Sequence, residues 1–199
     1  MAEPSYDVCL VEAELKARAA YSQPSRHYHD VRHLEECLRE LANVRGLSEQ
    51  DRRLLRWAIL WHDAVYEPGL NRNEERSAEL ATEELTGCGV DDDDVAEVAR
   101  LIRLTERHRV EPGDHLGALM ISIDLSILGS DRERYRGYIA DVRKEYAHVP
   151  DPMWQAGRAA VLKRLLDVDP LFPDEGFRAV FEERARQNMQ WELNTLGEC

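Results

Sequence analysis

The sequence predicts an all-α protein, and three observations carry that prediction. Apolar residues recur at intervals of three and four almost throughout the 199 residues, which is the spacing of a helix face. No stretch of alternating polar and apolar residues bounded by hairpin turns interrupts that pattern. Glycines, prolines and capping residues punctuate the chain at helix-length intervals. The length suits one domain over 1–199 with a substantial core. Its chemistry-bearing motifs fall over about 21–146, and C-terminal helices follow over about 150–196.

Helices are expected over 6–20, 29–44, 49–66, 73–86, 92–108, 115–128, 132–147, 153–167 and 175–195. Gly46 suits the C-cap of the second. Ser48, with Asp51 three residues on, resembles a capping box for the third. Pro68-Gly69 ends that helix. Glu74 and Glu75 open the fourth, where acids favour the positive end of the dipole. Gly87 and Gly89 then break the chain before Asp91 to Asp94, a second acidic run suited to a helix start. Its ligand spacing is wrong for an EF-hand loop. Periodicity alone carries the remaining elements.

Composition excludes several function classes. Lys and Arg number 26 against 39 Asp and Glu, a net charge of -13, and the pI is near 5.0. A nucleic-acid polymer or an anionic membrane needs clustered cations, so neither is expected as a partner. A small anionic substrate is compatible, because a bound metal overrides the global field locally. Cys9, Cys37, Cys88 and Cys199 are widely spaced with no CxxC pair. This suggests reduced, structural thiols rather than a disulfide framework or zinc ribbon. No basic-plus-apolar leader and no apolar run of membrane-spanning length are apparent, which predicts a soluble, cytoplasmic protein.

The chemistry concentrates in three places. His62-Asp63 lies inside the apolar run Trp57 to Val65, His29-x-x-x-His33 precedes it, and Asp124 is the single acid of the apolar stretch 118–128. Placing an imidazole and an ionised carboxylate in apolar surroundings costs several kcal/mol unless each is paired or bound to a cation. A divalent metal would remove that cost. On a helix, His29 and His33 share a face. Adjacent His62 and Asp63 diverge by about 100 degrees, so a helical pair would share an ion only at a helix crossing. For Asp124 the competing reading is a pairing with a buried Arg or a cap on a neighbouring helix. Trp57 and Trp61 fit core packing beside the His-Asp pair.

The order His, His-Asp, Asp resembles that of the HD-domain metal-dependent phosphohydrolases. Tyr28-His29-Asp30-Val31-Arg32-His33 and Asp124-Leu125-Ser126 partly echo the cyclic-nucleotide phosphodiesterase branch. That branch has Asn where this chain has Asp30, and its further motifs are lacking, so cyclic-nucleotide specificity does not carry over. A bacterial group of predicted HD phosphohydrolases of undefined substrate is similar from Tyr21 to about Asn188. Arg26-His27-Tyr28-His29, Trp61 to Tyr66, Asn73 to Ala78, Asp124 to Gly129 and Arg143 to Tyr146 carry that similarity.

The resemblance implies an HD-type helical bundle in which His33, His62, Asp63 and Asp124 hold one or two divalent ions, drawn from Mn, Fe, Co, Ni, Zn or Mg. Two imidazoles and two carboxylates leave open positions on a six-coordinate ion. The implied reaction is hydrolysis of a small phosphate ester, such as a nucleotide, by a metal-activated water. His29 would act as the acid near the leaving group and Asp63 as a ligand able to bridge two ions. His108 and His115 are the histidines available to a second ion or the active site. Arg26, His27, Tyr28, Arg143 and Lys144 are candidates for substrate contact, the cations because they suit phosphate. Tyr28 or Tyr66 could stack on a base. The rival readings are a di-iron HD-type oxygenase and a non-catalytic binding or regulatory module with a structural metal. The partner expected is a small phosphorylated molecule, and a homodimer is permitted.

Overall fold

The computed structural model describes residues 5–197, and among them there are nine α-helices, one short 3-10 helix and no strand. The α-helices are α1 (Tyr6–Ala20), α2 (Val31–Asn43), α3 (Glu49–Trp61), α4 (Asn73–Gly87), α5 (Asp92–Leu104), α6 (His115–Asp124), α7 (Arg132–Glu145), α8 (Asp151–Leu166) and α9 (Glu175–Gly197). The 3-10 helix, Leu125–Gly129, continues directly from α6. The chain is all-α.

Several helix starts follow the expected local chemistry. Ser48 Oγ accepts the Asp51 N–H at 3.0 Å and Asp91 Oδ1 accepts the Asp93 N–H at 3.0 Å, satisfying donors that a helix N-terminus leaves open. Gly46 lies two residues beyond Val44, the C-cap of α2, in the left-handed region at φ 80°.

Several boundaries differ from the sequence reading, and three of them have a side-chain reason. The second helix starts at Val31 rather than 29, because Asp30 is its N-cap and accepts from Arg32 N–H at 2.8 Å and His33 N–H at 3.4 Å. The third ends at Trp61 rather than 66. Beyond it, Val65 N–H donates to Ser77 Oγ at 3.0 Å and Glu67 N–H to Asn73 Oδ1 at 3.1 Å, so α4 side chains replace carbonyls four residues back. The fifth stops at Leu104 rather than 108. Thr105 caps it with a hydroxyl donating to Ile102 O at 2.8 Å, and His108 takes a left-handed φ of 51°.

The backbone groups into two compact units, one up to Met120 and one from Ile121. In the first, α3 packs against α1, α2, α4 and α5. Leu55, Ala58, Ile59, Leu60 and Trp61 of α3 are buried, as are Leu34, Ala81, Leu85, Leu101 and Ile102. Trp57 and Trp61 are both core residues, as expected. In the second unit α9 packs on α8 and on the 3-10 helix. There the buried Arg158 bonds Glu192 through Nε at 2.7 Å and Nη2 at 3.1 Å, and Tyr135 Oη donates to the same carboxylate at 2.6 Å.

The expectation of reduced thiols is corrected for two cysteines. Cys9 of α1 and Cys88, the C-cap of α4, form a disulfide across 79 positions. Cys37 is free and buried, and Cys199 lies outside the described residues. Widely separated cysteines meet here because α1 packs on α4, a juxtaposition no spacing rule could show. Among the described residues, no helix is long and apolar enough to cross a membrane.

Candidate metal centre

The centre forms where α3 gives way to a turn. His62, the C-cap of α3, is buried, and its Nδ1 lies 2.8 Å from Ile59 O. Donation from Nδ1 to that carbonyl leaves Nε2 with its lone pair, the tautomer that metal-binding imidazoles take. Asp63 has already left the helix. Its Oδ2 therefore approaches His62 Nε2 at 3.2 Å, where two consecutive helical residues would diverge. The helix-crossing arrangement expected from sequence is replaced by a helix end.

His33 comes from the first turn of α2, which Asp30 caps. Its Nε2 is 3.1 Å from His62 Nε2 and 3.6 Å from Asp63 Oδ2. One turn further along α2, Cys37 Sγ lies 3.8 and 3.9 Å from the two His33 ring nitrogens. Donor atoms of His33, Cys37 and His62 fall within 4.8 Å of one another. Cys37 was legible only as the residue four positions after His33, on the same helix face.

Electrostatics bind the cluster together. Burial alone would raise the Asp63 carboxyl, but with no cation bound the neighbouring imidazoles, His62 first and then His29 and His33, favour its ionised form when they are protonated and hold it well below the ordinary carboxylate range. Tyr21 at the C-cap of α1 is fully buried, and its Oη accepts the Asp63 N–H at 3.1 Å. Burial pushes its phenol well above the ordinary value, against the neighbouring His62. Glu74 is raised first by burial and then by the charges of Asp63 and Glu106, which outweigh its own backbone hydrogen bond and His108. His108 thus acts electrostatically on Glu74.

His29 stands before the N-cap and so is not one helical turn from His33 as expected. Its ring stacks on Tyr66 with centroids 4.0 Å apart, meets Tyr28 edge-on at 4.7 Å and lies 5.9 Å from His33. Tyr28 is buried and packs against His33 at 4.8 Å. His27 is half-buried, and its carbonyl accepts from Arg32 at 2.6 Å. Arg26 is buried and bonds backbone carbonyls of the His29 and Asp63 segments. His115 opens α6 next to Asp114. In the second unit, half-buried Asp124 ends α6. Its charge is a minor contributor, behind burial, to the raised Tyr138 phenol. Arg143 bonds Tyr146 O, Val149 O and Asp151 around the end of α7, and Lys144 pairs with Asp141 at 2.7 Å.

The donor chemistry fits a divalent ion. Two imidazole nitrogens held about 2.1 Å from one octahedral ion sit about 3.0 Å apart, close to the 3.1 Å between His33 and His62. An ionised carboxylate stands next to both. The class that fold and site define is an all-α protein with a His-His-Asp cluster at a helix end, its two imidazoles buried. No protein-family model matches the chain, and no curated protein matches it significantly.

Proposed function

We propose that the chain is a metal-dependent phosphohydrolase of the HD type, acting on a small phosphate ester such as a nucleotide. The observation that supports this reading is the convergence of His33 Nε2, His62 Nε2 and Asp63 Oδ2 within 3.1 to 3.6 Å of one another. One or two divalent ions bind there, with Asp124 as a further ligand on the strength of its place in the sequence order. A bound ion supplies Lewis acidity towards water and towards a phosphoryl group.

The chain's own residues do the rest. His62 presents Nε2 because Nδ1 is engaged by Ile59 O. Asp63, ionised throughout the neutral range by its histidine neighbours, provides the negative charge that retains a cation. His29, half-buried and braced on Tyr66, stands beside the cluster and gives a proton to the leaving oxygen. The cytoplasmic placement belongs to this proposal too, and the Cys9–Cys88 disulfide weighs against it, since cytosolic thiols are ordinarily kept reduced.

Elemental analysis of protein purified without chelators or an affinity tag, alongside Asp63→Ala and Asp124→Ala, tests the centre. About one or two divalent ions in the wild type and their loss in both variants are expected, followed by metal-dependent hydrolysis of p-nitrophenyl phosphate or its bis ester. No bound ion after incubation with Mn or Mg would sink the reading. A second reading, a structural metal in a binding module, draws support from Cys37, whose thiol lies with the His33 and His62 nitrogens and would as a thiolate take a position otherwise open to water. A bound ion with no hydrolysis of any phosphate ester would favour it.

A further inference from the structure

Arg26 has an unusual set of partners for a residue expected to meet phosphate. It is 6% exposed, with its guanidinium over the Tyr21 and Tyr66 rings at 5.3 and 5.6 Å. Nη1 donates to His29 O at 3.1 Å and to Asp63 O at 2.5 Å, and Nη2 donates to Ala64 O at 2.9 Å. Nε reaches Gln23 Oε1 at 3.4 Å. The acceptors come from two segments that sequence separates, the loop before α2 and the turn after α3.

The need for such a group follows from how α3 ends. Carbonyls in the last turn of a helix have no N–H ahead of them, and buried ones must find another donor. The chain swings away after Trp61, so Asp63 O loses the Glu67 N–H that a continuing helix would supply, and Ala64 O, four residues before Pro68, has no helical donor in any case. Arg26 takes that place with a planar fork. Its hydrogen bonds fix the turn in the orientation that brings Asp63 Oδ2 to the two imidazoles, and the same guanidinium holds the backbone of His29.

We infer that Arg26 is a positioning residue, one guanidinium that sets both the ligand Asp63 and the proton donor His29, and that it does not contact the substrate. This deepens the hydrolase reading above and rests on it. An ammonium cannot span three carbonyls in one plane, so lysine does not substitute.

The test uses the full chain as wild type, Arg26→Lys, Arg26→Gln and His29→Ala, with calorimetric Mn binding read first. Both Arg26 variants are expected to bind Mn roughly 10- to 100-fold more weakly, the scale on which groups behind a ligand act. Unchanged affinity would overturn the inference. Absence of binding by the wild type, for Mn and for other divalent ions alike, would instead overturn the metal reading beneath it.

Kinetics at saturating Mn then compare phenyl phosphate with p-nitrophenyl phosphate. A fall in kcat that is larger for phenyl phosphate, little change in KM, and a less than additive loss on combining Arg26→Lys with His29→Ala are expected. A raised KM with unchanged kcat would mean a substrate contact. Equal slowing of both esters, additive with His29→Ala, would mean a merely structural role. Either result overturns the proposal. If neither Arg26 variant folds, Gln23→Ala loosens the guanidinium from an exposed position. The same leaving-group dependence, smaller in size, is expected there, and an unchanged ratio would overturn the inference.

Discussion

His33 Nε2 and His62 Nε2 face each other at 3.1 Å, with Asp63 Oδ2 within 3.6 Å of both. Because His62 Nδ1 is engaged by Ile59 O, its Nε2 faces the cluster as an acceptor. The three groups are therefore complementary to a cation between them. A ligand that binds the folded state alone stabilises it by about 2.7 kcal/mol at a hundredfold excess over Kd. Thermal unfolding with and without added Mn or Zn checks this. A rise in Tm that EDTA reverses is expected in the wild type. His33→Ala and His62→Ala should show little or none.

How much of this was legible depends on the distance over which each cause acts. The His and Asp residues of the cluster stand out by type against apolar neighbours, and the helix periods follow from local spacing. The angle between His62 and Asp63 was not legible, because α3 is stopped at Trp61 with hydrogen bonds from Ser77 and Asn73, more than ten residues on. The start of α2 was within reach: Asp30 is a favoured N-cap residue, yet the His29-x-x-x-His33 spacing suggested an earlier start. Tyr21 and Arg26 carry no spacing signature, since each acts on backbone atoms about 40 residues away.

The Cys9–Cys88 bond ties α1 to the end of α4 across 79 positions. Closing a loop of that length removes unfolded-state entropy worth about 4.5 kcal/mol in the chain-entropy account, with measured effects of about 2–5 kcal/mol. Urea unfolding of oxidised wild type, reduced wild type and Cys9→Ser is the check. Both thiol forms should unfold at lower urea, by similar amounts. Coincident curves for all three would show that the bond adds nothing to stability.

Asp114 precedes α6, accepts the Gly117 N–H at 2.9 Å, and takes two bonds from Arg100 at 2.6 and 3.0 Å. Burial pushes its carboxyl up, but the Arg100 and Gly117 hydrogen bonds and the Arg100 charge outweigh this and hold it below the ordinary range. A depressed folded value gives stability that is present above the ordinary carboxylate pKa of about 4 and is lost as pH falls through the folded value. Asp114→Asn keeps a capping side chain and removes the charge. The variant should be less stable than wild type near pH 7, and the gap should close on acidification. Urea midpoints across this range decide it, and a gap independent of pH would contradict the assignment.

Gly129 ends the 3-10 helix against α9, between two carbonyls, Leu128 O and Ser130 O, that accept from Asn188 Nδ2 at 2.8 and 3.0 Å. A Cβ there would lie 2.7 Å from both Cβ and O of Phe181 and 2.9 Å from its Cα. Two of these atoms are backbone of α9, so no rotamer change relieves the overlap, and the helix itself would have to move. Forcing a methyl group into packed structure typically costs about 1–3 kcal/mol, and Gly129→Ala should lower the unfolding midpoint accordingly. Gly137, exposed within α7, is the matched control. An added Cβ meets only the tip of Arg134 at 3.9 Å, and alanine is the better helix former by about 1 kcal/mol. Gly137→Ala should therefore be neutral or stabilising. Equal destabilisation of the two variants would mean that the loss at Gly129 does not come from its approach to Phe181.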